Sequence, residues 1–147
     1  MLEIVHGEPK DVDTIAPLFD AYRQFYEQES DIDRAKEFLY DRLSNGQSII
    51  LIAFWKGKAV GFTQLYTTYS SVSMQAFYIL NDLFVVPEYR GKQMGEALLR
   101  ASQKLCAKNN YKGLALETAI DNPAKELYGK LGWRKDTDYF HYFWANK

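Results

Sequence analysis

Hydrophobic positions along this chain follow helical spacing from Ile15 to Leu43, strand patterns from Ser48 to Val86, and helical spacing again from Met94 to Leu105. Residues 2–5 (Leu-Glu-Ile-Val) read as a short strand, and Glu8-Pro9-Lys10-Asp11 as a helix start. Pro9 suits the first helical position, where its missing N–H costs nothing. Ile15, Leu18, Phe19, Tyr22 and Phe25 then recur three and four apart. Pro17 inside that series predicts a kink or a shifted helix start. A second helix from about Asp31 places Ala35, Phe38, Leu39 and Leu43 on one face and stops at Asn45-Gly46.

From Ser48 the pattern changes. Ser48–Trp55 is a continuous apolar, β-branched run and predicts a buried strand. Lys56-Gly57-Lys58 is a turn, and Ala59–Thr68 returns as the second arm of a hairpin. A polar loop at 69–73 leads into a long strand, Gln75–Val86, ended by Pro87. Residues 91–109 form an amphipathic helix with Met94, Leu98, Ala101 and Leu105 on its apolar face. A strand at 111–118, a short helix at 123–131 stopped by Gly132, and an aromatic strand at 138–144 complete the chain. The order is β-α-α-β-β-β-α-β-α-β, a mixed α/β arrangement in one domain spanning 1–147.

Composition narrows the function classes. The 147 residues carry 18 basic and 19 acidic side chains, a formal net charge of -1, with no basic block for nucleic acid. No apolar run reaches membrane-spanning length. One cysteine, Cys106, fits a reducing compartment, and the polar N-terminus does not read as a signal peptide, so a cytoplasmic location is expected. Cys106 lies on the apolar side of its helix and reads as a structural thiol. His6 and His141 stand far apart without ligand spacing, so no metal is expected. Aromatic residues reach 16%, including 11 Tyr, which suits a lined cleft or a half-buried interface as well as an aromatic core.

The chemistry concentrates between Leu83 and Leu99. A strand ends at Pro87, a tight turn carries Arg90, Gly91 and Lys92, and a helix follows. A helix N-terminus offers unpaired N–H groups and partial positive charge to phosphate oxygens. Gly91 and Gly95 allow close approach of a ligand to the main chain, and Arg90 and Lys92 add positive charge. The spacing is neither that of a nucleoside-triphosphate loop nor that of a dinucleotide fold.

This stretch resembles the GCN5-related N-acetyltransferases (GNAT). In that family a strand ending in the pattern V-x-P-x-Y-R-G leads into a turn that holds the coenzyme A pyrophosphate. Here the turn reads Arg90-Gly91-Lys92-Gln93-Met94-Gly95, followed by Glu96, with Gln93 standing where the family usually has glycine. A second stretch, Asp121-Asn122-Pro123-Ala124-Lys125-Glu126-Leu127-Tyr128-Gly129-Lys130-Leu131-Gly132-Trp133, resembles the family's later motif. Asp121 replaces its leading asparagine, so either Asp121 or Asn122 takes the pantetheine contact, beside Lys125.

The resemblance implies a mostly antiparallel sheet of six to seven strands, splayed at the cofactor site and flanked by four helices. It implies acetyl-coenzyme A as cosubstrate, with the pantetheine arm bonded to the main chain around Leu83, Phe84 and Val85. It implies direct attack by a primary amine in a ternary complex, with Tyr128 as general acid. At neutral pH on the order of one alkylamine in a thousand is unprotonated, so a base helps. Asp82 on the long strand is the first candidate and Glu117 the second, with a structural role for Asp82 standing beside that reading. Tyr22, Tyr26 and Glu27 on the first helical segment suit the wall of a groove for a small cationic amine such as a polyamine, an amino acid or a basic side chain. The rings of 138–144 suit a homodimer interface, with the lining of the acceptor groove within one subunit as the competing reading. The alternative is a catalytically silent acyl-coenzyme A sensor or interaction module on the same fold, which the retained Tyr128 disfavours.

Overall fold

The computed structural model describes residues 1–146, which fall into two compact units, 1–117 and from Thr118 onward. In the first unit, β1 (Leu2–His6), β2 (Ser48–Trp55), β3 (Lys58–Ser70), β4 (Gln75–Val85) and β5 (Leu114–Ala115) form one sheet in sequence order. The first four strands are antiparallel, and β5 joins β4 in parallel.

Helices α1 (Val12–Phe25) and α2 (Ile32–Ser44) cover one face, and α3 (Met94–Lys108) covers the other. Ile15, Leu39, Ile50 and Phe62 are fully buried on the first face. Burial of such side chains contributes about 1.5–3 kcal/mol each. Met94 and Leu98 of α3 close the second face against Leu51, Ala53 and Val60. Asp31 caps α2 by accepting the Arg34 N–H at 3.2 Å.

Pro17 lies inside α1, which runs from Val12 to Phe25 after a single 3-10 turn (Pro9–Asp11). Two expectations are corrected. Helix α3 begins at Met94 rather than Gly91, since Gly91 and Gln93 both have left-handed φ values, 77° and 69°, which α-helix excludes. The sheet has five strands among the described residues, not six or seven. Instead of 111–118, β5 pairs only Leu114 and Ala115 with Tyr78 and Ile79. Residues 138–146 form no strand, and Tyr139, Phe140, Tyr142, Phe143 and Trp144 are exposed. An aromatic run has the side chains for a strand, but a strand exists only when its main-chain groups find a ladder partner.

In the second unit, α4 (Lys125–Lys130) is followed by Gly132 at φ 91°, and the Trp133 N–H donates to the Tyr128 carbonyl at 2.9 Å. No helix of the described residues is long and apolar enough to cross a membrane.

Candidate active site

A bulge in β4 builds the chemical centre of the first unit. Gln64 pairs with Asp82, but Leu65 pairs with Leu80, leaving Asn81 as the extra residue. Asn81 is exposed, whereas Asp82 is turned inward with 2% of its surface accessible. Its carboxylate accepts two amide donors. Gln64 Nε2 donates to Oδ2 at 2.6 Å, and Asn81 Nδ2 donates to Oδ1 at 2.7 Å. Thr63 Oγ1 donates to the Asp82 carbonyl at 2.7 Å and ties the two strands together beside it.

From α1, the Tyr22 ring packs edge-on against Phe62 and Phe84, with centroids 5.8 and 6.3 Å away. Its hydroxyl donates to the Asn81 carbonyl at 3.2 Å. Tyr26 meets Tyr22 edge-on at 5.1 Å and is 56% exposed, so the aromatic wall runs from the buried carboxylate outward to solvent. Glu27 follows at the end of α1 with φ 65° and is exposed.

These contacts set the proton affinities. Burial pushes the Asp82 carboxyl above its ordinary range, while the hydrogen bonds from Asn81, Gln64 and Tyr22 pull it back. Burial, and then the negative charge of Asp82, hold the Tyr22 phenol well above its usual value. Burial and Asp82 also push Tyr66 up to about 12, against an opposing pull from Arg42. Both tyrosines therefore remain protonated donors at neutral pH, and Asp82 is the group in this cluster suited to take up a proton. Gln64 Oε1 is buried without a partner, an arrangement that costs about 1–3 kcal/mol.

Beyond Asp82, β4 presents an open edge. Its pairing with β5 stops at Ile79, so from Leu80 onward that side has no strand partner among the described residues. The Val86 N–H turns to Val60 of β3 at 2.9 Å, which leaves the main-chain groups of Leu83 and Val85 facing the open side. Leu83 and Val85 pack toward α3, and Phe84 packs toward α1. Gly61 makes the close pairing at this end of the sheet achievable, since a Cβ there would lie 2.8 Å from the Phe84 carbonyl.

The turn after β4 brings main-chain groups to the surface. A Cβ on Gly91 would meet nothing within 4 Å, so the space beside this residue is open. The first helical bond of α3 runs from Ala97 N–H to the Gln93 carbonyl at 3.1 Å, so the Met94 and Gly95 amides precede it and lack a helical acceptor. These features fit a pyrophosphate group. Lys92 stands at the rim, 5.3 Å from the Tyr89 ring centroid. Two expected contacts differ in detail. The Met94 side chain is 2% exposed in the core under α3, so only its amide faces the turn. Arg90 Nε donates to the Val85 carbonyl at 2.8 Å, and its guanidinium lies 5.5 Å from the Phe84 centroid and 5.6 Å from that of Phe25.

Within the second unit, Asn122 Oδ1 accepts the Ala124 N–H at 2.9 Å and caps the turn before α4, leaving its amide nitrogen as a donor. Asp121 is exposed, and Lys125 Nζ donates to the Ile120 carbonyl at 3.1 Å. Tyr128 is half-buried against Trp133, with centroids 5.9 Å apart. In the first unit, Glu117 is exposed beyond the end of β5. Cys106 is buried, which pushes its thiol up. No cluster of three metal-ligating side chains occurs among the described residues.

The structure thus joins Tyr22 and Asp82, which the sequence places far apart, and adds Gln64, Asn81 and Tyr66. Gln64 had a visible signal, a long polar amide in the middle of a strand, two residues after Phe62 and next to Leu65. Asn81 had none, because a bulge is a property of the strand pair.

The model of the acetyltransferase (GNAT) family matches residues 15–133. An uncharacterized N-acetyltransferase, YhfO, of Bacillus subtilis is 48% identical over 142 residues, covering 96% of this chain and 95% of that protein. A crystal structure described as a probable acetyltransferase superposes with TM-score 0.93 at 30% identity, covering 99% of this chain and 98% of that one. An aminoglycoside N-acetyltransferase in complex with coenzyme A shares the fold, with TM-score 0.83 at 17% identity over 99% of this chain and 96% of its own. The chain belongs to the GNAT family and is an acyl-coenzyme A-dependent N-acetyltransferase.

Proposed function

We propose that the protein transfers the acetyl group of acetyl-coenzyme A to a primary amine that attacks directly in a ternary complex, with Asp82 as the base. The observation that carries this reading is the buried Asp82 carboxylate, raised in proton affinity by burial and aligned by two amides beside an open strand edge. A base near neutral pH needs a proton affinity above that of an ordinary carboxylate, and it must keep its charge. Burial supplies the first requirement and the amide donors the second.

The cosubstrate's pyrophosphate would be held by the turn from Arg90 to Gly95, with Gly91, Lys92, Gln93 and Met94 contributing main-chain groups and Glu96 opening the helix. Its pantetheine arm would lie along Leu83, Phe84 and Val85, with Asp121, Asn122 and Lys125 as further contacts. When bound it supplies an activated thioester. Asp82 would take one proton from the incoming ammonium, so that the neutral nitrogen can attack the thioester carbonyl. As the carbon–sulfur bond breaks, Tyr128 would give its phenolic proton to the departing thiolate, and the second proton that the nitrogen loses on becoming an amide would return Tyr128 to its neutral form.

Tyr22, Tyr26 and Glu27 line the acceptor's path, and their rings and carboxylate suit a small cationic amine. A release assay for free thiol, run with putrescine, spermidine, lysine, an alanine-terminated peptide and an aminoglycoside, tests this reading. Turnover with at least one of them is expected, and acetyl-coenzyme A binding without turnover on any amine would favour a silent sensor.

Cys106 as a lone thiol suits work in the cytoplasm. The exposed rings at 139–144 support a homodimer, because a monomer leaves them in water. A 17 kDa particle at every concentration in light scattering would overturn it.

A further inference from the structure

Gln64 is a poor choice for a residue whose only task is to fill the sheet. It is fully buried between strand neighbours Thr63 and Leu65, on a face shared with Phe62, where an apolar side chain would satisfy the packing and carry no polar atom of its own to pair. As built, its Oε1 has no hydrogen-bond partner. The opposite amide orientation would set that oxygen against Asp82 Oδ2 at 2.6 Å, so the carboxylate dictates which way the amide points. The chain thus tolerates an orphaned acceptor in order to present one donor to Asp82.

We propose that Gln64 is a positioning residue that holds Asp82 as an aligned carboxylate, and so sets the pH range over which the enzyme works. The proposal rests on Asp82 being the base. The groups around Asp82 show why one amide matters. Gln64 and Tyr66 face it from β3, Asn81 from β4, and Tyr22 from α1 with Tyr26 behind it. Arg42 of α2 acts on Tyr66, and the hydrogen bonds that favour charge on Asp82 come from Asn81, Gln64 and Tyr22. These donors are neutral, and a hydrogen bond to a charged group is stronger than one between neutral groups. Removing one donor leaves desolvation less opposed.

The experiment follows the Asp82 carboxyl carbon by NMR during a pH titration of the full chain labelled at aspartate, with the signal assigned by its loss in Asp82→Asn. Gln64→Met, similar in size and without a donor, is expected to raise the midpoint by about one pH unit or more. The acid limb of thiol release, measured with the best amine of the panel above, is expected to move by the same amount while KM for acetyl-coenzyme A stays unchanged. An unmoved midpoint in folded Gln64→Met overturns the proposal. If that variant does not fold, Gln64→Glu, of the same shape, carries the test. Its added carboxyl beside Asp82 is expected to split the titration into two steps, the upper one above the wild-type midpoint, and a single unshifted step overturns the proposal. The base reading fails separately: Asp82→Asn would then retain wild-type turnover, whatever the Gln64 variants do to the midpoint.

Discussion

Asp82 and the turn at Gly91 lie at two places along the same strand and its exit, and they are built in opposite ways. At Asp82 a carboxylate is buried, enclosed by side chains from α1, β3 and β4, and shifted in proton affinity by that enclosure. At Gly91 the main chain is exposed, and the useful groups are amides that any residue could supply. Proton transfer needs a low-dielectric setting and a tuned group, so it is made from specific side chains brought together by packing. Phosphate binding needs only aligned N–H groups and room to approach them, so it is made from backbone shape. The first kind of site is sensitive to identity, the second to conformation.

Substitutions should separate the two accordingly. The largest effect is expected from Asp82→Asn, which keeps the shape and abolishes the base. Turnover should fall by about 10²–10⁴-fold, the range for general acid–base catalysis, with acetyl-coenzyme A affinity by calorimetry little changed. Unaltered turnover would return Asp82 to a structural role. Next comes Tyr128→Phe, which keeps the ring against Trp133 and removes only the phenolic proton. A loss of about 10²-fold in turnover at saturating substrates is expected, again without a change in cosubstrate affinity. A loss of affinity instead would make Tyr128 a binding residue.

At the turn the expected effect is smaller and has the opposite sign. Gln93 adopts φ 69°, a left-handed conformation that costs a residue with a Cβ about 1 kcal/mol. Gln93→Gly relieves that strain and should raise Tm while preserving or tightening acetyl-coenzyme A binding. A weakened affinity would show that the Gln93 side chain itself contacts the phosphate.

The smallest effect concerns stability against pH. The native state holds the Asp82 proton to higher pH than the unfolded chain does. Its contribution to stability is complete below about pH 3.9 and is lost as pH rises through the higher native value. Asp82→Asn cannot ionise, so in thermal melts above about pH 4 the variant should gain on the wild type across that window. A constant gap in Tm would contradict a raised native proton affinity.

The sequence alone determined the features that depend on neighbours along the chain. Helical spacing from Ile15 to Phe25 and in α3 located those helices, because amphipathic period is a local property. The apolar run Ser48–Trp55 and the turn at Gly57 located the hairpin. The pattern from Pro87 to Gly95 located the turn before α3, since phosphate cradles are written in consecutive residues. Tertiary structure decided what depends on pairing between distant segments. The bulge that turns Asp82 inward exists only because β3 and β4 slip by one residue at Asn81. The role of Gly61 depends on the Phe84 carbonyl across the sheet, and the proton affinity of Asp82 on burial that raises it and on donors from Asn81, Gln64 and Tyr22 that pull it back. Residues 138–144 have the composition of a strand and are not one, because ladder hydrogen bonds come from a partner that the segment's own residues do not encode.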